Sequence, residues 1–256
     1  MGKLVPFTLS FMAILTMAMV KYSTKEHIIT TEKKVEKKVE KKVESNTFAV
    51  VELFTSQGCS SCPPADEILR GLAKKDNIFP LSFHVTYWNR LGWKDSFSQK
   101  NFDERQYEYG SRFALNGVYT PQIIINGEVE MVGSHGQKIQ KTISEKLEKV
   151  SPIFITLEKE IKDKSLIINY KINKPAKGYD LNIALVESGI STKIQRGENE
   201  GRTLKHDNVV RYFKTIKMTE NTEGVVELPL LLTEKQSVIV YVQERNLGAI
   251  MAAAKL

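Results

Sequence analysis

The sequence contains little cysteine, tryptophan and histidine. Its 256 residues include two cysteines, two tryptophans and four histidines. Two cysteines can form one internal disulfide at most, so the chain is not a small scaffold stapled by disulfides. They also leave no clear fourth ligand for a structural zinc site. Apolar residues make up 41% of the chain, which is ordinary for a soluble globular protein and sufficient for a core without staples.

The chain has little net charge outside its N-terminus. The net charge is +7, and residues 1–46 contribute +4 of it through nine lysines and five glutamates. The remaining residues carry +3 and contain no stripe of alternating basic and aromatic side chains. Nucleic-acid binding is therefore not predicted.

The N-terminus has the pattern of a targeting segment. Lys3 is followed by an apolar run at 4–20, so residues 1–22 are expected to be a signal peptide or a membrane anchor. Either reading makes the protein secreted or periplasmic, and the second tethers it to the membrane through residues 4–20. Residues 23–46 repeat Glu-Lys-Lys-Val without a heptad pattern, which predicts a charged spacer.

Both cysteines belong to one motif, Cys59-Ser60-Ser61-Cys62, which follows an apolar strand and precedes a predicted helix. A C-x-x-C in that context favours redox chemistry over metal binding. A helix N-terminus stabilises a thiolate, so Cys59 is expected to be the exposed attacking thiol and Cys62 the resolving thiol. The alternative is a helix that begins at Pro63, since proline favours extended geometry in the residue before it, and this weakens the dipole effect on Cys59. A disulfide across so short a loop adds little stability, which disfavours a purely structural bridge.

Two charged residues interrupt apolar patterns near this motif. Glu52 lies in the strand predicted at 48–54, where a carboxylate is unfavourable unless it is paired or protonated. It is therefore either a proton acceptor close to the cysteines or a paired acid. Arg105 lies on the helix predicted at 98–114 and is expected to be solvated.

An aromatic segment follows the strand predicted at 78–85. It begins at His84 and contains both tryptophans, Trp88 and Trp93. Such a segment at the end of a strand predicts a binding surface, with an aromatic plug over the core as the alternative. His84 is either a hydrogen-bonded structural residue, a charge partner for a thiolate, or a copper or zinc ligand together with the two cysteines.

The second half of the chain has no long helical pattern. Six strands separated by turns predict an antiparallel sandwich. The polar stretch 194–210 contains Arg202, His206 and Asn208. It is either an ordinary surface loop or a functional loop that leans over the cysteine site. The six strands are predicted at 153–161, 166–172, 181–187, 209–218, 225–230 and 238–244.

The order of these elements resembles the thioredoxin fold. Strand, C-x-x-C, helix and strand are followed by Thr120-Pro121, which opens a strand that turns at Asn126-Gly127. The resemblance implies a cis bond before Pro121, which then faces the cysteines. A narrower resemblance is to a secreted bacterial family of thioredoxin-like proteins of unknown function, and it is carried by residues 51–66, 84–95, 119–122 and 197–211.

The expected fold class is therefore α/β, with a thioredoxin-like domain at 47–150 followed by a mostly antiparallel β-sandwich-like domain at 151–256. The expected function is an extracytoplasmic thiol–disulfide oxidoreductase that needs no cofactor and acts on protein thiols or a redox partner protein. The alternatives are a copper- or other metal-binding or chaperone module that uses Cys59, Cys62 and His84, and a non-catalytic binding domain. The expected catalytic residues are Cys59, Cys62, Pro121 and Glu52, and the expected substrate contacts are Thr120, Trp88, Trp93, His84 and His206.

Overall fold

The structure is a computed structural model that describes residues 40–43, 47–175, 177–231 and 233–256. The segment predicted to be a signal or anchor, and most of the predicted spacer, lie outside the described residues. All described residues belong to one unit that spans Lys37–Leu256. Within these ranges, none of the helices has the length and apolar character needed to cross a membrane.

Short helices and many strands make up this unit. The helices are α1 (Pro63–Leu72), α2 (Lys100–Arg112) and α3 (Gly136–Leu147), with a 3₁₀ turn at Asn89–Leu91. The strands are β1 (Glu40–Val43), β2 (Ala49–Thr55), β3 (Ile78–His84), β4 (Gln122–Ile125), β5 (Val129–Val132), β6 (Ile155–Lys162), β7 (Ser165–Ile172), β8 (Tyr179–Glu187), β9 (Ile190–Lys193), β10 (Thr203–His206), β11 (Val209–Lys217), β12 (Glu223–Pro229), β13 (Gln236–Glu244) and β14 (Ile250–Lys255).

The first-half elements form largely where the sequence predicts them. Strand β2 is buried along its whole length, as its nearly continuous apolar sequence requires, and it pairs with β3 in parallel and with β4 antiparallel. Asn126 and Gly127 have positive φ angles and join β4 to β5, so the predicted turn is confirmed. The Asn126 side chain also accepts a hydrogen bond from the Val50 N–H at 2.6 Å, which fixes this hairpin against β2.

The expected division into a thioredoxin-like α/β domain and a separate β-sandwich domain is wrong. The protein is mostly β, with 18% helix, and strands from both halves form one mixed sheet. The order in this eight-stranded sheet is β14-β13-β8-β11-β3-β2-β4-β5. The prediction failed because the pattern of apolar residues in a strand shows which of its faces are buried. The pattern does not show which strand pairs with its edge, since that partner can be far away in the sequence.

Asn208 joins the two halves where β11 meets β3. Its carbonyl accepts a hydrogen bond from the Ser82 N–H at 2.9 Å, and its side-chain amide donates to the Pro80 carbonyl at 2.8 Å. Val209 then pairs with Ser82 in parallel register. The edge of β3 that a free-standing first domain would expose is therefore covered by the second half.

The core is continuous across this junction. Helices α1 and α3 cover one face of β2 and β4 through an aliphatic cluster. An aromatic cluster on the opposite face combines residues of both halves, among them Phe54, Phe83, Tyr109 and Tyr241. A second sheet, in the order β1-β6-β7-β12, packs its apolar face on β8, β13 and β14. Part of the predicted spacer, Glu40–Val43, is thus a strand of this second sheet and pairs with β6.

Candidate functional site

The cysteine pair lies at the start of α1. Cys59 and Cys62 form a disulfide with their Cα atoms 5.4 Å apart. Helix α1 begins at Pro63, because proline is tolerated in the first turn, and Cys62 is its N-cap residue. Both cysteines are fully buried, whereas Ser60 and Ser61 between them are exposed. The expectation of an exposed Cys59 is therefore wrong. Of the two alternatives for the helix start, the structure has the one at Pro63, and Cys59 lies in the turn before the helix.

The segment Thr120–Pro121 borders the disulfide. Its peptide bond is cis, as the resemblance implies. The Thr120 carbonyl oxygen lies 3.8 Å from Cys59 Sγ and accepts a hydrogen bond from the Ser61 hydroxyl at 3.4 Å. The Thr120 hydroxyl accepts a hydrogen bond from Trp88 Nε1 at 2.7 Å. The structure thus brings together three of the residues that the sequence singles out for the site, namely Thr120, Pro121 and Trp88.

Both tryptophans hold the residues that precede the disulfide. Trp93 Nε1 donates a hydrogen bond to Gln57 Oε1 at 2.9 Å, and Gln57 is fully buried. A Cβ atom at Gly58 would lie 3.1 Å from the Trp88 Cβ, so glycine permits this close approach. The aromatic segment is therefore part of the wall around the disulfide.

A loop from the second half closes over the same turn. Strands β9 and β10 form a hairpin, and the residues that join them are referred to here as the covering loop (194–202). The Asn199 side-chain amide donates to the carbonyls of Gln57 at 3.0 Å and Cys59 at 2.9 Å. Glu198 Oε2 accepts a hydrogen bond from the Ser60 N–H at 2.9 Å. Of the two alternatives for this region, these contacts favour the loop that leans over the cysteine site, although much of the region is a hairpin rather than one long loop.

Four buried ionisable side chains contact one another in a chain, and they are called the acid–histidine cluster here: Asp66, His84, Asp95 and His206. His84 Nδ1 lies 2.7 Å from Asp95 Oδ2, which also accepts a hydrogen bond from the Gln57 N–H at 2.8 Å. The rings of His84 and His206 meet edge to face with centroids 4.9 Å apart. His206 Nδ1 lies 3.7 Å from Asp66 Oδ2. The cluster therefore reaches from α1 to the residue two positions before Cys59.

Several polar atoms of this cluster have no hydrogen-bond partner. They are both carboxylate oxygens of Asp66, Nε2 of His84 and both ring nitrogens of His206. The Thr55 hydroxyl is close enough to Asp66 to lower its pKa, but it is not in hydrogen-bonding geometry. Most buried polar atoms in proteins are hydrogen-bonded, so an unpaired group of this size is typical of a functional site.

Burial and charge separate the pKa values within the cluster. Desolvation raises the pKa of Asp66 to about 7, against a smaller lowering by the nearby His84 charge. Desolvation lowers the pKa of His206 to about 3. Burial acts to lower the pKa of His84, but the charge and the hydrogen bond of Asp95 together with the Asp66 charge outweigh it, so this pKa is raised. Burial acts to raise the pKa of Asp95, but its contacts with His84 and its backbone hydrogen bonds outweigh it, so this pKa is lowered. The cluster thus contains one ion pair, one neutral imidazole and one carboxyl that titrates near neutrality.

Glu52 lies in a different network. Glu52 Oε1 accepts hydrogen bonds from Arg105 Nε at 2.9 Å and Nη2 at 2.7 Å, and from the Tyr241 hydroxyl at 2.7 Å, while Tyr109 donates to the other oxygen. Of the two alternatives for Glu52, a proton acceptor near the cysteines or a paired acid, these contacts favour the paired acid. Arg105 is 7% exposed, so the expectation that it is solvated is wrong. The partners are 53 positions apart, and no local pattern in the sequence links them.

The expected metal ligands do not converge. The two cysteines are bonded to each other, and His84 directs Nδ1 to Asp95. Among the residues that the structure describes, no group of three histidine, cysteine, aspartate or glutamate side chains is arranged to hold a metal ion. The sequence reading missed Asp66, Asp95 and Asn199, although all three lie within the stretches that carried the family resemblance.

The family model described as "Protein of unknown function (DUF1223)" matches residues 50–243. The chain belongs to this family. The expected resemblance to a family of unknown function is thereby confirmed, whereas membership of the thioredoxin superfamily is not. No curated protein matches this DUF1223 protein.

Two solved structures are similar to the DUF1223 protein. Protein AGR_C_4864 from Agrobacterium tumefaciens is 32% identical with a TM-score of 0.63, and the match covers 81% of this chain and 93% of that one. HBP35 of Porphyromonas gingivalis is 16% identical with a TM-score of 0.56, and the match covers 84% of this chain and 76% of that one. At that identity the second likeness concerns the fold alone.

Proposed function

We propose that this DUF1223 protein is an extracytoplasmic thiol–disulfide exchange protein that uses Cys59 and Cys62. The observation that carries the proposal is that the buried acid–histidine cluster is joined to both ends of the cysteine motif: Asp95 accepts a hydrogen bond from the Gln57 N–H, and Asp66 lies one turn beyond Cys62 on α1. A bridge that closes a loop of four residues adds little stability, and unpaired buried ionisable groups reduce stability. A structural staple would need neither feature, whereas perturbed pKa values beside a reactive group are typical of catalytic sites.

The exchange passes two electrons between the cysteine pair and a substrate dithiol. One substrate thiolate attacks Cys59 Sγ, the Cys59–Cys62 bond breaks, and Cys62 leaves as a thiolate. The second substrate thiolate then attacks the substrate sulfur of the mixed disulfide and releases Cys59 as a thiolate. The substrate departs as a disulfide and the pair is reduced; a substrate disulfide reverses each step. Protein thiols or a redox partner protein are the substrates that this chemistry serves.

Access to Cys59 is the geometric condition for this reaction. Because Cys59 is fully buried, attack requires the covering loop or the Thr120–Pro121 segment to move away. Ser60 and Ser61 are the exposed residues of the motif, so the approach is from their side. Trp88 and Thr120 border that side and are the substrate contacts that the proposal assigns.

The reduction potential of the Cys59–Cys62 pair tests this function. The full chain is equilibrated in glutathione buffers of graded ratio, and the reduced fraction is measured by alkylation and mass spectrometry. We expect a midpoint between about −120 and about −270 mV, the range of thiol–disulfide catalysts. A midpoint below about −300 mV would indicate a structural disulfide and would favour the alternative of a non-catalytic binding domain.

A trapping experiment tests the same function on partners. In Cys62→Ser the resolving sulfur is absent, so mixed disulfides formed at Cys59 should persist and be recovered with their partner proteins. Cys59→Ser is the matched control and should recover none. Equal recovery by the two variants would contradict the assigned roles of the two cysteines.

A further inference from the structure

Asp66 lies one helical turn beyond Cys62. Both residues are part of the start of α1, and the Asp66 N–H donates to the Cys62 carbonyl at 3.1 Å. Residues four positions apart lie on the same face of a helix with their Cβ atoms about 5–6 Å apart. Helical side chains also tilt toward the N-terminus, which directs the Asp66 carboxyl toward the turn that contains Cys62.

Of the two acids in the cluster, only Asp66 is free to exchange a proton. The Asp95 oxygens are occupied by the Gln57 N–H, the Phe97 N–H and His84. The Asp66 side chain is 6% exposed and neither of its oxygens has a hydrogen-bond partner. Its side chain lies near His206, with 3.7 Å between Oδ2 and Nδ1. A buried carboxyl without partners is stable mainly in its protonated form, which makes it a proton donor.

We propose that Asp66 gives a proton to the Cys62 sulfur when the disulfide is reduced and takes it back when the disulfide forms again. This inference rests on the proposed exchange function, and it identifies Asp66 as the group that donates and accepts the proton in that reaction. Glu52, which the sequence singled out as a proton acceptor, is held instead by Arg105 and two tyrosines.

The proton balance follows from the exchange step. Breakage of the Cys59–Cys62 bond leaves a thiolate on Cys62, which is buried and therefore unstable without a proton. The protonated carboxyl of Asp66 donates that proton, so Cys62 becomes a thiol and Asp66 a carboxylate. In the reverse direction the carboxylate accepts the Cys62 proton, and the resulting thiolate attacks Cys59 and expels the substrate thiolate.

The titratable groups around Asp66 are consistent with this role. Burial raises the pKa of Asp66 to about 7, below the ordinary pKa of a thiol, so transfer to a Cys62 thiolate is favourable. The other ionisable groups that face the cluster are His84 on β3, Asp95 after it, His206 on β10 and Arg211 on β11. His206 stays neutral above its pKa of about 3 and does not compete for the proton near neutrality.

The test is the pH dependence of disulfide reduction by dithiothreitol in the full chain. Rates are divided by the thiolate fraction of dithiothreitol at each pH, which leaves the rate constant of the attack itself. In the wild type this constant should fall about tenfold as Asp66 loses its proton between about pH 6 and about pH 8. Asp66→Asn cannot donate a proton, so its profile should be flat and low over the same range.

Asp103→Asn is the matched control. Asp103 is another buried acid, but it is bonded to Thr86 and lies outside the cluster, so its variant should keep the wild-type profile. A flat wild-type profile, or an inflection that persists in Asp66→Asn, would overturn the assignment of Asp66. Neither result affects the reduction potential, which tests the exchange function separately. If Asp66→Asn fails to fold, Asp66→Glu decides: a displaced inflection supports the assignment and an unchanged one overturns it.

Discussion

At the scale of single residues, two buried acids of the first half, Glu52 and Asp66, differ in what surrounds them. Glu52 is held by a guanidinium and two hydroxyls, so its charge is compensated inside the core. Asp66 has no hydrogen-bond partner, and its pKa is raised to about 7. The first arrangement stabilises the fold, and the second stores a proton beside the disulfide.

Replacement of Glu52 by glutamine should destabilise the protein by about 3–5 kcal/mol, because Arg105 would remain buried without a counter-charge. The free energy of unfolding is measured by urea titration at neutral pH. Glu108→Gln changes an exposed acid on the same helix as Arg105 and should stay within about 0.5 kcal/mol of the wild type. Similar losses in both variants would contradict the pairing.

His206 should make the fold sensitive to acid. Its pKa is about 3 in the folded state and about 6.5 when unfolded, so below about pH 6.5 the unfolded chain binds the extra proton and stability falls with pH. Between about pH 7 and about pH 4, the wild type should lose about 3 kcal/mol that His206→Asn does not lose.

The measurement is urea unfolding of wild type and His206→Asn at each pH. Asp66 acts in the opposite direction across this whole range, because its folded pKa of about 7 lies above its unfolded value of about 3.9 and so stabilises the fold as the pH falls. It is present in both proteins, so the difference between them isolates His206. His135→Asn, a change at an exposed histidine, should parallel the wild type at every pH. A difference between wild type and His206→Asn that is independent of pH would disprove the sign and origin of this effect.

At the scale of elements, the covering loop is bonded to the turn that contains Cys59. Its fully buried Asn199 bonds two carbonyls of the cysteine turn, and Arg202 donates to the Asn199 side-chain oxygen at 2.8 Å. The sequence shows a polar stretch at this position, but the partners of Asn199 lie about 140 residues earlier in the chain. The existence of the loop was thus predictable from composition, whereas its bonds to the cysteine turn depend on how the two halves meet.

Asn199→Ala should loosen this cover. It leaves the Gln57 and Cys59 carbonyls without their partner, so stability should fall by about 2 kcal/mol. Local opening of the loop becomes more frequent, and reduction by dithiothreitol should accelerate roughly tenfold at fixed pH. Arg196→Ala, an exposed change in the same loop, should leave the rate unchanged. A rate in Asn199→Ala equal to that of the wild type would show that the loop does not limit access.

At the scale of the whole molecule, sequence patterns gave most of the elements but not their assembly. The apolar run of β2, the Asn126-Gly127 turn and the six strands predicted in the second half depend on local chemistry, whereas β9 and β10 lie in a polar stretch and were missed. The joining of β3 to β11 depends on Asn208, which bonds residues 128 positions away. His84 and His206 also come from different halves, 122 positions apart, and this is why the acid–histidine cluster was not predictable from either half alone.

The continuous sheet predicts that both halves unfold together. In urea, the fluorescence of Trp88 and Trp93 reports on the first half and far-ultraviolet circular dichroism on all strands, and the two transitions should coincide. Residues 47–150 alone should show no cooperative transition, because the β3 edge and the aromatic cluster would lose their second-half partners.

Asn208→Ala tests the junction directly. It removes the bond to the Pro80 carbonyl and places alanine at a φ of 49°, so we expect a loss of about 2 kcal/mol that lowers both midpoints equally. Asn221→Ala, an exposed change in the second half, should lower neither. If Asn208→Ala shifted the circular dichroism transition and left the tryptophan transition in place, the halves would be separate folding units. Equal shifts of the two midpoints would mean that the eight-stranded sheet and the covering loop fold and unfold as one cooperative unit.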